Sequence, residues 1–206
     1  ATGGRDKCVR LSCLQSSSSI FNVGDASSFS PDVRSMEVGY HSGVVTGIGF
    51  RMKHPHIVSS GADGIINVWE CTRAVKTIVE EDDEEEYGVT KGRRRSGIQL
   101  GDACYRRFNH QGGVTSLSLS KANDNILASS SISGGVALWD IRNGRDGSCS
   151  SKFNLGYPID SISLSHHGGK LACGSSNGSF LCIYDLRGTE IIWKRRLNSL
   201  GLAWSP

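Results

Sequence analysis

The chain has 206 residues, a formal net charge of +3, 26 Gly and 4 Pro, and aromatic residues make up 7% of it. This length is enough to bury a sizeable core in one or two domains, and many Gly with few long helical patterns favour an all-β protein rich in turns. The small net charge does not by itself indicate a nucleic acid or a membrane surface as partner.

The cysteine pattern indicates a reducing compartment. None of the seven cysteines forms a C-x-x-C pair, and most lie in strand-like runs such as Leu171-Ala172-Cys173, as small buried hydrophobic residues do. The sequence has no secretory h-region and no run of about 18 apolar residues that could span a bilayer. We therefore expect an intracellular protein, cytoplasmic or nuclear, and not a secreted one. The chain does not begin with Met, so an upstream targeting segment stays compatible with the sequence.

The first element predicted along the chain is half of a β-hairpin. Gly4-Arg5-Asp6-Lys7 is typical of a tight turn, and the alternating run Cys8-Val9-Arg10-Leu11 follows it. The same pattern recurs in three later windows, each with a turn and then an alternating strand that ends in an aromatic residue and an acid. The four windows are 4–13, 61–70, 131–140 and 176–185. Asp-Gly and Asn-Gly in these turns favour two-residue hairpins, because both central residues need positive φ.

Another strand-like run precedes each of the last three windows. These runs contain Val45, Val114 and Ile159, and a polar turn and a further short apolar run follow each of them. The order in each unit is therefore strand, turn, strand, hairpin turn, strand. A further copy begins in 198–206.

This order strongly resembles the WD40 repeat. Trp139-Asp140 matches the signature dipeptide of that family, and His41 and His110 stand where the family has its Gly-His position. Trp139 and Tyr184 are about 45 residues apart, close to the ~40–45 of one repeat. The resemblance implies an all-β, WD40-type β-propeller with three complete blades plus partial blades. A ring of seven blades needs roughly 300 residues, so we expect the chain to be a fragment of such a ring.

The spacing of the repeats also predicts where insertions lie. Trp69 and Trp139 are about 70 residues apart, which exceeds one repeat by about 25. The predicted division is 1–15 as the end of one blade, 16–38 as a Ser-rich insert, 39–78 as a blade, 79–105 as a charged insert, 106–150 and 151–190 as blades, and 191–206 as the start of the next blade.

The resemblance further implies a buried network of His, Ser or Thr, Asp and Trp in a blade. The best match is a set of five candidates: His41, Ser59 or Ser60, Asp63 and Trp69. A buried indole N–H needs an acceptor, and a hydroxyl and an imidazole can connect it to a carboxylate in the hairpin turn.

The later repeats predict degraded versions of this network. His110, Trp139 and Asp140 are present in the second repeat, but Ser133 replaces the turn Asp. Tyr184 replaces the Trp in the third.

Several motifs suggest chemistry but have simpler interpretations. Residues 174–178 match G-x-S-x-G but lead into a strand, whereas a nucleophile elbow leads into a helix. The histidine pairs at 54 and 56 and at 166 and 167 lack a third ligand at suitable spacing. Gly47-Ile48-Gly49 lacks the third Gly of a dinucleotide site. We therefore predict no catalytic residue, no cofactor, no metal site and no enzymatic activity.

Two charged clusters are candidate partner-binding sites. Residues 80–86 are seven consecutive acids, and a basic run follows soon after. The acids and bases could form a solvated loop between blades, or they could dock a partner. The second cluster is basic and lies beside Trp193, as an exposed outer strand or as an edge that contacts RNA. The candidate residues are Glu84, Glu85, Glu86, Arg93, Arg94, Arg95, Lys194, Arg195 and Arg196.

The sequence thus favours a non-catalytic scaffold or adaptor subunit that binds other proteins in a larger intracellular complex. One alternative is a subunit of a ribonucleoprotein or RNA-processing assembly. Another is a propeller subunit of a cytoskeletal, ciliary or membrane-traffic complex. We expect neither membrane insertion nor a small-molecule substrate.

Overall fold

A computed structural model describes residues 1–14, 33–71, 104–142, 149–175 and 180–196. These residues form fifteen strands in four antiparallel sheets. Sheet 1 contains β1 (Thr2–Gly3), β2 (Cys8–Leu14) and β3 (Val33–Tyr40), and sheet 2 contains β4 (Val45–Phe50), β5 (His56–Gly61), β6 (Ile65–Glu70) and β7 (Cys104–Asn109). Sheet 3 contains β8 (Val114–Leu119), β9 (Ile126–Ser131), β10 (Gly135–Asp140) and β11 (Cys149–Asn154), and sheet 4 contains β12 (Ser161–Leu164), β13 (Lys170–Ser175), β14 (Phe180–Asp185) and β15 (Glu190–Arg196).

Each sheet is a meander in which neighbours in sequence are neighbours in space. The hairpin turns lie where the sequence predicts them, but their type differs from the predicted two-residue turn. Three residues separate β5 from β6, and only the last of them, Gly64, has positive φ, at 78°. Gly134 has φ of 85° at the same position between β9 and β10, a conformation that Gly adopts without steric cost. The Asp63 carboxylate accepts a hydrogen bond from the backbone N–H of Ile65 at 3.0 Å and so fixes the turn between β5 and β6. The all-β fold class is confirmed.

Three hydrophobic clusters lie between successive sheets. Trp69 of sheet 2 packs with Val9 and Val38 of sheet 1, and Trp139 of sheet 3 packs with Val68 of sheet 2. In the third cluster, the sheet 4 side chains pack against Val136 of sheet 3. Burial of these apolar faces is what holds one sheet against the next.

The first strands of adjacent sheets also lie side by side. β8 of sheet 3 borders both β4 of sheet 2 and β12 of sheet 4. Ser118 Oγ accepts a hydrogen bond from the Leu164 N–H at 2.9 Å, and Ser116 Oγ accepts one from the Ile162 N–H at 3.2 Å. Four sheets stacked face to face around their first strands are consistent with part of a WD40 β-propeller.

The sheets are offset by one strand from the predicted units, and this corrects three boundaries. β7 pairs with β6, with Val68 opposite Arg106, so the insert predicted at 79–105 separates two strands of one sheet and not two blades. The Ser-rich insert at 16–38 likewise overlaps β3, which pairs with β2. β15 pairs with β14 and completes sheet 4, although 191–206 was predicted to start another blade. The offset arises because the outer strand of each sheet follows the Trp or Tyr position in the sequence.

Candidate functional site

Four side chains form a buried chain of hydrogen bonds in sheet 2. The indole Nε1 of Trp69 donates to Ser59 Oγ at 2.8 Å. Ser59 Oγ lies 2.8 Å from His41 Nε2, and His41 Nδ1 lies 3.2 Å from Asp63 Oδ1. Because the Asp63 carboxylate can only accept, the Nδ1–H of His41 donates to it. Nε2 of the neutral imidazole is then an acceptor, so the Ser59 hydroxyl donates to Nε2 while its oxygen accepts from the indole N–H. β5, β6 and the segment after β3 supply these residues, so the chain ties two sheets together.

The protonation of this chain is set by burial and by hydrogen bonds. Burial lowers the pKa of His41, although the nearby Asp63 carboxylate opposes that shift. Burial raises the pKa of Asp63. The hydrogen bond from the Ile65 N–H and the interaction with His41 together outweigh this effect, so the pKa of Asp63 lies below its ordinary value. The pair is therefore a neutral imidazole bonded to a carboxylate near neutral pH.

The order Asp63, His41, Ser59 is that of a hydrolase triad, but its environment differs from that of a nucleophile. Ser59 has no exposed surface, and its Oγ already accepts the Trp69 N–H. A nucleophilic hydroxyl must reach the substrate, whereas this one is sealed in the core. The arrangement is suited to holding the blade rather than to catalysis.

Of the two serines predicted as alternatives, Ser59 occupies the network. Ser60 points to the other face of β5, where its Oγ lies 3.2 Å from Thr46 Oγ1. Successive residues of a strand face opposite sides, so only one of the two could reach Trp69.

The second repeat retains part of the network. Trp139 Nε1 donates to Ser129 Oγ at 2.8 Å, as Trp69 does to Ser59. His110 instead has its Nδ1 3.0 Å from the Gln111 carbonyl, and its buried Nε2 lacks a hydrogen-bond partner among the described residues. Burial lowers the pKa of His110.

Two serines replace the Gly and Asp of the first repeat. Ser131 Oγ lies 2.9 Å from Ser133 Oγ and accepts the Gly135 N–H at 3.1 Å. The corresponding acceptor in sheet 2 is the Asp63 carboxylate, which accepts the Ile65 N–H. The Ser131 hydroxyl therefore takes over one role of the missing carboxylate.

The remaining sequence candidates have separate environments. Asp140 accepts from Arg142 Nη2 at 2.7 Å and caps the end of β10. Lys194 lies on β15 with its ammonium 4.7 Å from the Tyr157 ring centroid and 4.8 Å from that of Phe180, so it contacts the edge of the core. The neighbouring Arg195 and Arg196 are exposed. Six candidates lie outside the described residues: Glu84, Glu85, Glu86, Arg93, Arg94 and Arg95.

Sequence reasoning missed a buried latch between sheets 2 and 3. Arg51 donates from Nε to the Asp124 carbonyl at 2.9 Å and from Nη2 to Asn125 Oδ1 at 2.7 Å. The Asp124 carboxylate accepts the Met52 and Lys53 backbone N–H groups at 2.6 and 3.0 Å. Both charged side chains are buried, at 3% and 4% exposure. About 70 residues separate them, so no local pattern indicated the pair.

His56 also belongs to this latch. Arg51 Nη1 lies 2.7 Å from His56 Nδ1, so the arginine donates and the imidazole is neutral. Burial and the adjacent Arg51 charge lower the pKa of His56. Its ring stacks on Tyr105 with centroids 4.8 Å apart, and His54 lies 5.9 Å away on a nearly parallel plane.

Around the latch, the same end of sheet 2 exposes large apolar side chains. Met52 is 78% exposed, Phe50 51% and Tyr105 43%. Together with His54 they form what we call the sheet 2 patch. Sheets 1 and 3 pack on the two faces of sheet 2.

The described residues contain no group of three or more His, Cys, Asp and Glu that could hold a metal ion. Within the same ranges, no helix has the length and apolarity that crossing a membrane requires.

Three four-stranded meanders and one three-stranded meander, two of them with a Trp on the third strand, are typical of a propeller-type repeat protein. Residues 31–70 and 102–140 match the family model described as WD domain, G-beta repeat. These matches cover 79 of the 206 residues and support a WD40-repeat family. Each match covers the outer strand of one sheet and three strands of the next, which accounts for the offset between repeat and sheet. No curated protein matches the chain in sequence. WD40 repeats in general suggest a protein-interaction role, and proteins that carry them are generally non-catalytic scaffolds.

Proposed function

We propose that the protein is a non-catalytic scaffold or adaptor subunit of a multi-subunit intracellular complex, in the cytoplasm or the nucleus. The observation that carries this is the sheet 2 patch. Three large apolar side chains are exposed beside the hydrogen-bonded Arg51–Asp124 latch. Aromatic residues and Met are enriched in protein–protein interfaces, and exposed apolar patches between covered faces mark such sites.

The proposed partner is a protein that covers the sheet 2 patch. Tyr105 combines a large contact area with a hydroxyl group, and Met52 is flexible enough to fill an irregular partner surface. The acidic and basic candidates outside the described residues (84–86 and 93–95) are proposed as further contacts with the same partner, because the segment that carries them leaves β6 and enters β7 beside the patch.

Affinity purification from cells with Met52→Glu and Tyr105→Glu in one chain tests this function. The matched control is Ile132→Glu, because Ile132 is 64% exposed and lies in a turn at the opposite end of sheet 3. We expect the patch variant to lose proteins that the parent chain and the control both retain. If all three chains retain the same proteins at equal abundance, the patch is not the binding surface. If none retains a specific protein, the scaffold function itself is wrong.

A further inference from the structure

A cavity of about 250 Å³ opens on the face of sheet 3 that carries Trp139. β10 and β11 form its floor and one wall, and the turn after β7 forms the opposite wall. Its polar lining comes from His110, Ser133 and Lys152, and its apolar floor includes Ala137, which lies on the same face of β10 as Trp139. It shares His110 and Ser133 with the partial network of the second repeat and lies apart from the sheet 2 patch.

The equivalent space in sheet 2 is filled by side chains. There Asn67 is opposite Arg107, and in sheet 3 Ala137 is opposite Lys152. Asn67 is buried, and its Oδ1 accepts the Arg107 Nε–H at 3.1 Å. Ala137 is smaller than Asn67 and has no side-chain acceptor. In sheet 3 the equivalent space is therefore empty, and Lys152 has no side-chain acceptor opposite it.

A second difference between the two sheets enlarges the cavity. Ile65 begins β6, whereas Gly135 begins β10 at the same register position. A Cβ at Gly135 would lie 3.4 Å from His110 Cε1, so a larger side chain there would fill the space in front of that ring.

Among the described lining residues of the cavity, Lys152 carries the only formal charge. The Lys152 ammonium forms no ion pair with a described acidic residue, and its nearest described partner is the Trp139 ring, 5.9 Å from the ring centroid. The cavity lining contains no Asp or Glu. Burial chiefly, and the Lys152 charge in addition, lower the pKa of His110, which agrees with a site that lacks a negative charge.

These features select the class of ligand. One cation can neutralise one negative charge, so a phosphate dianion would leave charge uncompensated in a partly buried site. The apolar floor favours a short hydrocarbon group next to the charge. We propose that the cavity binds a carboxylate carried on a short apolar group. The carboxylate stands where Asn67 Oδ1 stands in sheet 2 and accepts from Lys152, while its hydrocarbon part lies on Ala137.

A titration followed by two-dimensional NMR tests the site, with sodium butyrate as the probe and butylammonium chloride as the charge-reversed control. We expect saturable shifts of the Ala137 and Lys152 amides with butyrate and none with butylammonium. Ala137→Asn should abolish the shifts because it rebuilds the filled arrangement of sheet 2. Lys152→Gln, on an exposed position that leaves the core intact, should abolish them independently. Shifts that are absent, scattered over the surface or unchanged in either folded variant would overturn the proposal.

A second arm distinguishes the source of the carboxylate. A short peptide that ends in Leu with a free C-terminal carboxylate is compared with its C-terminal amide. Binding at least about tenfold tighter than butyrate, lost in the amide, supports a chain terminus of a partner protein as the occupant. Equal binding of peptide and butyrate supports a free carboxylate. If neither binds, the cavity is not a carboxylate site.

Discussion

Gly61 and Asp63 fit together in sheet 2 because Gly61 has no side chain. A Cβ on Gly61 would lie 2.4 Å from Asp63 Oδ1 and 2.6 Å from His41 Nδ1, both below any normal contact distance. The glycine is therefore required for the imidazole–carboxylate pair. In sheet 3 the corresponding residues are Ser131 and Ser133, and there the His110 imidazole bonds to a carbonyl instead. Both residues of the pair differ between sheets 2 and 3 because the side chain at the first position would occupy the space of the carboxylate at the second.

Asp63→Ala is expected to destabilise the protein more than Ser133→Ala. The first variant leaves the buried Nδ1–H of His41 and the Ile65 N–H without an acceptor, which costs on the order of 1–3 kcal/mol. The Ser133 side chain is exposed and makes its hydrogen bonds at the surface, so its loss should cost less. Urea unfolding of both variants measures the difference. Equal changes in the free energy of unfolding would show that the complete network contributes nothing beyond its exposed counterpart.

The Arg51–Asp124 latch is expected to be coupled. Asp124→Ala leaves a buried guanidinium without its carboxylate, and the cost should be about 3–5 kcal/mol. Arg51→Met combined with Asp124→Ala should cost less than the sum of the single variants, because no uncompensated charge remains. Thermal unfolding of the two single variants and the double variant completes the cycle.

The matched control for the latch is Arg142→Ala, since Arg142 is 64% exposed in its ion pair with Asp140. Its effect should lie near 0–1 kcal/mol, about the value of a surface ion pair. Additive effects of the two latch substitutions would mean that Arg51 and Asp124 act independently.

Stability is expected to fall as the pH is lowered through the histidine range. The pKa values of His41, His56 and His110 are all lowered in the folded state from the ordinary value of 6.5. The unfolded chain therefore binds more protons below pH of about 6.5, so stability that is present above this pH is lost as the pH falls. Melting temperatures measured between pH about 7.5 and about 5 should decrease steadily.

His56→Gln tests the origin of this pH dependence. The amide oxygen of Gln can accept the Arg51 hydrogen bond but does not titrate, so the decrease should become shallower. An unchanged slope would assign the whole effect to His41 and His110.

The repeat windows in the sequence predicted the hairpins and the partners of Trp69 because these depend on local spacing. The hairpin register places Ile57 opposite Trp69, and Ser59 lies two residues further along β5 on the same face, within reach of the indole. Ser129 stands in the same diagonal relation to Trp139. The strand periodicity did not select Ser59 over Ser60 in advance. Which face of β5 lies towards Trp69 is known only when the pairing register of β5 and β6 is known.

The latch and the cavity depend on pairs that no local pattern connects. Arg51 and Asp124 lie in turns of different sheets, and each turn by itself is simply polar. The cavity arises from the absence of side chains at Gly135 and Ala137, which is recognised only when two sheets are compared at equivalent positions. The offset between repeats and sheets was missed because the outer strand pairs across the insertion that precedes it.

The most direct test of the account is a thermodynamic cycle on the two serines of sheet 3. Ser133→Asp alone should destabilise the protein, because the Ser131 Cβ occupies the place that the carboxylate needs, as a Cβ at Gly61 would in sheet 2. Adding Ser131→Gly should restore stability to at least the parent value and let His110 Nδ1 donate to the new carboxylate. Chemical unfolding of the two single variants and the double variant gives the coupling free energy, which we expect to favour the double variant by about 1–3 kcal/mol. A double variant no more stable than Ser133→Asp alone would contradict the claim that glycine and carboxylate form one unit.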